Sequence, residues 1–103
     1  LGAPQLQHNP ADAARLDVWL FRTRLVKSRS LATKLILGGK IRLSRNGQTT
    51  RRLKPHVTIR PGDCVTFMRG TELINIEMVA PGTRRGPSSE ARELYIALPL
   101  EAQ

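Results

Sequence analysis

The hydrophobic positions of this chain keep a helical period at first and a period of two later, and the change of spacing divides it into elements. From Asp12 to Leu25, at about 100° per residue, Leu16, Trp19, Leu20 and Thr23 share one stripe and Val18, Phe21 and Leu25 a second. Asp12 is the expected cap of this helix, and Arg15 and Arg22 lie on the ridge between the stripes, read as its route to solvent. Trp19 and Phe21 are assigned to packing, not to base stacking. A second helix is expected over residues 29 to 37, with Ser28 as its N-cap and Gly38-Gly39 as its stop. Leu31, Ala32, Leu35 and Ile36 fall on its apolar arc; Arg29, Ser30, Thr33 and Lys34 take the opposite one, with Leu37 as an exposed leucine on the polar side. Residues 26 to 28 form the corner between the two helices.

Beyond Gly39 the period becomes two: Ile41 and Leu43 alternate with Lys40, Arg42 and Ser44. Asn46-Gly47 supplies the positive φ of a hairpin turn, and a polar, basic return follows. Strands are expected over 56 to 59, 64 to 68 and 73 to 79, with a turn at Pro61-Gly62-Asp63. After the loop "APGTRRGPSSE", the segment "SSEARELYIAL" has the spacing of a last amphipathic helix striped with Ala91, Leu94, Tyr95 and Leu98. The expected class is α+β: a two-helix motif packed on a small, mostly antiparallel sheet, with a C-terminal helix. Residues 1 to 11 are read as a flexible leader, 12 to 80 as the domain, and 81 to 103 as a loop and helix packed on it.

Charge sharpens this picture. The 103 residues hold 17 Lys and Arg against 8 Asp and Glu, a formal +9. The excess is local: residues 15 to 69 contain fourteen basic side chains against Asp17 and Asp63, a net +12, and the remainder is slightly acidic. Such segregation favours a polyanionic partner over a uniformly solubilised surface. At the corner, Lys27 and Arg29 stand where a helix start is already positive, a local repulsion that a bound phosphate would remove.

Other chemistry is poorly equipped. The carboxylates are scattered, His8 and His56 have no nucleophile or metal partner in sequence, and there is no phosphate-binding glycine loop of the nucleotide-hydrolase type. No catalytic residue, cofactor or metal is expected. Cys64, the single cysteine, is read as a buried or half-buried strand residue. No apolar run approaches the roughly 18 residues of a membrane span, the N-terminal stretch lacks the order of a signal peptide, and no exposed apolar stripe is evident beside the cationic face. The expectation is a cytoplasmic binding protein without membrane contact.

The segment "RLDVWLFRTRLVKSRSLATKLILGGKIRLSRNGQ" resembles the RNA-binding domain named after small-subunit ribosomal protein S-four. The likeness rests on Arg-Leu-Asp opening the first helix, Lys-Ser-Arg opening the second, Gly-Gly-Lys at its exit and Asn-Gly in the hairpin, and it fades towards Phe67. The tail "RRGPSSEARELY" is similar to stand-alone members, the fifteen-kilodalton heat-shock proteins of bacteria. The resemblance implies an RNA-facing surface of Arg15, Arg22, Lys27, Ser28, Arg29, Lys34 and Lys40, with Arg42 and Arg45 of the hairpin as additions. As partners it implies ribosomal RNA on the large subunit carrying a stalled nascent chain, in ribosome recycling or quality control, with tRNA as a further contact and the protein a monomer. The competing expectations are a DNA-binding helix-turn-helix regulator and a detached targeting domain of an RNA-modifying enzyme.

Overall fold

The structure, a computed structural model, describes residues 12 to 99. Seven strands and three helices occur among them: β1 (Ala14–Arg15), α1 (Leu16–Arg22), α2 (Arg29–Leu37), β2 (Arg42–Arg45), β3 (Gln48–Thr50), β4 (Thr58–Ile59), β5 (Cys64–Arg69), β6 (Glu72–Met78), α3 (Ser88–Ala91) and β7 (Tyr95–Ala97). The main sheet has the order β3-β2-β5-β6-β7 with every neighbouring pair antiparallel, and β1 and β4 form a separate two-stranded ribbon. This is the α+β architecture expected from the sequence.

Alternation sets the layers. Leu43, Val65, Phe67, Ile74, Ile76 and Met78 are buried and face one another in register, Leu43 opposite Val65, Val65 opposite Ile76 and Phe67 opposite Ile74. Leu16, Trp19, Leu20, Ala32 and Ile36 of the helices join the same core. The intervening sheet residues are less covered, and two of them pair through Thr66 Oγ1 and Asn75 Oδ1 at 2.9 Å. The helices therefore cover one face only.

The second helix has the expected bounds because both of its ends are locally encoded. The Ser28 hydroxyl accepts the Leu31 amide at 3.0 Å, a cap whose removal costs about 1 kcal/mol. At the other end Gly39 adopts φ +70 while its amide reaches Ile36 O and that of Lys40 reaches Leu35 O, the paired bonds of a Schellman stop. Asn46 and Gly47, at φ 54 and 80, make the anticipated hairpin turn.

Two expectations are corrected. The first helix does not start at Asp12 or reach Leu25: its N-cap is Arg15, in extended conformation, and it ends at Arg22. Its first amides bond to Val57 O and Pro55 O, so backbone brought from β4's approach replaces the side-chain cap. Arg24, at φ 66, closes the far end. The C-terminal helix is also shorter than expected, one turn over Ser88–Ala91 and a 3-10 turn over Arg92–Leu94. Tyr95, with its β-prone neighbour Ile96, then pairs with the free edge of β6; the ladder supplies bonds that local helix spacing could not outweigh. Ala91 and Leu94 remain buried as the stripe required, whereas Tyr95 belongs to the sheet. The expected leader, residues 1 to 11, lies outside the described residues.

Candidate nucleic-acid interface

Asp17 and Asp63 are the only acids in the basic segment 15 to 69, and both are buried, at 2% and 4% exposure. Each grips arginine. Asp63 accepts Arg45 Nε at 2.9 Å and Nη2 at 2.6 Å, together with the Arg60 amide. Asp17 accepts Arg15 Nε at 3.1 Å and Nη2 at 2.9 Å, and Arg29 Nε stands 3.5 Å from the same carboxylate. The surface contributed by this segment thus exposes no carboxylate, and Lys27, Lys34, Lys40 and Arg42 stand exposed on it without an ion-pair partner among the described residues.

The Asp17 cluster joins the starts of α1 and α2. Burial alone would raise its carboxyl; the hydrogen bonds and charge of Arg15, the charge of Arg29 and the Val18 amide outweigh that and hold it below the usual carboxylate range. Two guanidiniums, about half exposed at 48% and 52%, are thereby held close against their mutual repulsion. The bonds to Asp17 leave Nη1 of Arg15 and both terminal nitrogens of Arg29 for an external anion, in the fork geometry that suits phosphate.

The other candidates divide. Lys27 and Lys34 are exposed near the start and in the last turn of α2, and Ser28 serves as the cap between Lys27 and Arg29. Lys40 and Arg42 line a hollow with Arg51 at the exit of α2. Arg22 does not run free to solvent: half-buried, its Nη1 donates to Pro81 O at 3.2 Å and Gly82 O at 2.9 Å. Arg45 is committed to Asp63 and to Thr58 O. The signal that would have found Asp17 was available, since a lone acid in a field of cations is most easily explained as their internal anchor. Arg85, which stacks over Phe21 at 4.7 Å and donates to its carbonyl at 3.0 Å, carried no comparable signal.

No group of three metal-capable side chains occurs among the described residues. The Cys64 thiol is pushed up by burial and by Glu77 and Asp63, away from thiolate reactivity. No described helix is long and apolar enough to cross a membrane.

The S4 domain matches residues 14 to 65, the span that holds both helices, the hairpin and the Asp17 cluster. The chain belongs to the S4 domain family. Heat shock protein 15 of Escherichia coli strain K12 is 36% identical over 90 residues, covering 87% of this chain and 64% of the relative. A heat shock protein 15 homolog of Aeromonas salmonicida is 33% identical over 90 residues, covering 84% and 64%. The chain therefore spans a little under two thirds of the length of these curated relatives. A trimeric structure of Vibrio cholerae heat shock protein 15 aligns with a TM-score of 0.73 at 34% identity, covering 84% of this chain and 82% of that one. The S4 assignment and the likeness to heat shock protein 15 expected from the residues both hold.

Proposed function

We infer that this S4-domain protein is a non-enzymatic binder of structured RNA, gripping the ribose-phosphate backbone and reading its shape more than its sequence. The carrying observation is the pair Arg15 and Arg29 held together by buried Asp17, on a segment surface that exposes no acid. Folded RNA offers phosphates and 2′-hydroxyls on an accessible surface, while its deep major groove resists side chains. Arg15 and Arg29 take one phosphate, Lys27 and the Ser28-capped start of α2 a neighbouring one, and Lys34, Lys40 and Arg42 continue the track. Arg22 and Arg45 act indirectly, by holding the frame on which the track is mounted.

The likeness to heat-shock relatives supports ribosomal RNA of the large subunit as the target, on subunits that carry a stalled nascent chain, in the cytoplasm. It supports a role in recycling or quality control, with tRNA as a further contact. The protein is proposed to act as a monomer, which sedimentation tests directly against the trimeric relative.

The deciding experiment is crosslinking in lysate and sequencing of the attached RNA, paired with a titration of hairpin RNA against duplex DNA at one salt concentration. Recovery of large-subunit ribosomal RNA and preference for the hairpin support the reading. Equal affinity for duplex DNA, or ribosomes that ignore the protein at low ionic strength, would overturn it.

A further inference from the structure

The turn from α1 to α2 has little backbone order of its own. Among the described residues, no bond between backbone groups ties residues 25 to 27 to one another or to either helix. The Arg24 amide reaches Phe21 O at 3.2 Å and the Leu25 amide reaches the Thr23 hydroxyl at 3.2 Å, while Arg24 itself stands at φ 66, a conformation unfavourable for a residue with a side chain. A segment so loosely tied takes its shape from what is packed on it. Lys27 and Ser28, both assigned to the RNA track, stand at its end.

What packs on it is the loop that opens the tail "RRGPSSEARELY". Arg85 Nε donates to Phe21 O at 3.0 Å, its guanidinium lies 4.7 Å over the Phe21 ring, and Nη2 reaches Lys27 O at 3.5 Å. In the opposite sense, Arg24 Nε donates to Gly86 O at 2.5 Å. Two adjacent loop residues therefore clasp the turn on both sides. The planar fork of Arg85 spans from the last turn of α1 to the residue before the cap of α2, a reach that needs donors on separate nitrogens. The loop is anchored behind this clasp: Arg84 pairs with Glu90 at 2.7 Å, Ala91 and Leu94 are buried beyond it, and Gly86 is buried where a side chain would run into Glu90.

We propose that Arg85 is a positioning residue for RNA binding: it fixes the turn so that Lys27 and the Ser28-capped start of α2 stand at a set distance from the Arg15 and Arg29 pair. The proposal rests on the RNA reading of that pair. Asp17 holds residue 29 from the start of α1, and Arg85 holds residue 27 from its end, so the cations on either side of Ser28 are placed before a ligand arrives. Direct contact with phosphate is a poor use of this side chain, since Nε and Nη2 already face carbonyls and the Phe21 ring covers one face of the guanidinium. Arg85 lies outside residues 14 to 65, the span that the S4 domain matches. The geometry of the corner thus depends on a segment beyond the domain that carries the cations.

Arg85→Ala and Arg85→Lys in the full chain test it, the second keeping the charge and losing the fork that bridges two carbonyls. Without RNA, hydrogen exchange at the Arg24 and Leu25 amides is expected to quicken about tenfold in both variants, while amide dispersion shows the rest of the fold intact. Affinity for hairpin RNA, read by anisotropy, should fall about three- to tenfold in both, and the slope of log K against log salt should stay that of the parent because no phosphate contact is deleted. Full recovery of affinity in Arg85→Lys, with a slope shallower by about 1 in Arg85→Ala, would make Arg85 a phosphate contact and overturn the proposal. So would unchanged exchange at the turn, or quickened exchange with parental affinity, which would show that RNA is indifferent to the shape of the corner. Failure of the RNA reading shows separately, as a parent chain without preference for hairpin RNA, and the role of Arg85 in binding falls with it.

Discussion

The buried carboxylate of Asp17 stands 3.5 Å from Nε of Arg29, although the two residues open different helices. With Arg15 on its other side at 2.9 Å, Asp17 fixes how far apart two cations sit before any ligand arrives. Asp17→Asn keeps the shape and removes the charge that offsets their repulsion. Hairpin RNA affinity is expected to fall about three- to tenfold, equivalent to roughly 0.7–1.4 kcal/mol, while the slope of log K against log salt stays as it was because no phosphate contact is deleted. A parallel loss of slope would mean that Asp17 merely holds the fold together.

The same carboxylate ties stability to pH. Its folded-state value lies below the ordinary 3.8 despite burial, because Arg15, Arg29 and the Val18 amide favour the charged form. The native state therefore releases this proton more readily than the unfolded one, so the contribution is fully present above the unfolded value and is lost as pH falls through the folded value. Urea midpoints taken from neutral pH down to about 2.5 should show the gap between the parent and Asp17→Asn narrowing only below about 4. A constant gap across that range would place the parent's advantage elsewhere.

Charge reversal separates the arginines that face RNA from those that hold the frame. Arg29→Glu should leave the melting temperature within a few degrees, weaken hairpin RNA binding at least about tenfold, and reduce the magnitude of the salt slope by about 1 from an initial −4 to −5 for six phosphate contacts. Arg22→Glu should destabilise the fold first, since its guanidinium is held by Pro81 O and Gly82 O. Thermal melts read beside anisotropy check both; an undisturbed melt for Arg22→Glu would return it to the RNA-facing set.

These assignments mark what the residues disclosed and what they did not. The bounds of α2 were legible, because Ser28 and Gly39 are local signals that agree with one another, whereas the exposure of Leu31 on its apolar arc was not. The start of α1 was not, since the acceptors for Leu16 and Asp17 arrive from Val57 and Pro55, contacts without a local signature. The tail misled for a related reason: the spacing of Leu94, Tyr95 and Leu98 suits a helix, yet an open sheet edge lay within reach. At the site, charge was plain from the residues, whereas the distinction between half-exposed Arg29, paired with Asp17, and Arg22, committed to backbone, depends on carbonyls at 81 and 82. Asp17 and Asp63 carried a readable signal in their isolation, and its meaning was anchoring.

Those carbonyls belong to a run that α1 captures in order. Trp19 Nε1 donates to Ala80 O at 2.9 Å, and Arg22 takes the next two, so one face of the helix holds three consecutive peptide groups of the segment leading to α3. Trp19→Phe preserves most of the buried ring and deletes one donor, expected to cost about 1–2 kcal/mol; Arg22→Ala deletes two bonds from a half-buried charge and should cost a similar amount. Once either anchor is gone the segment can lift, and the second loses part of its value. The double variant should therefore be less destabilised than the sum of the singles, by about 0.5–1 kcal/mol in a denaturant-based cycle. Strict additivity would show that Ala80 and Gly82 are held independently, with the segment pinned chiefly by buried Leu94, whose methyl groups pack against Gly82.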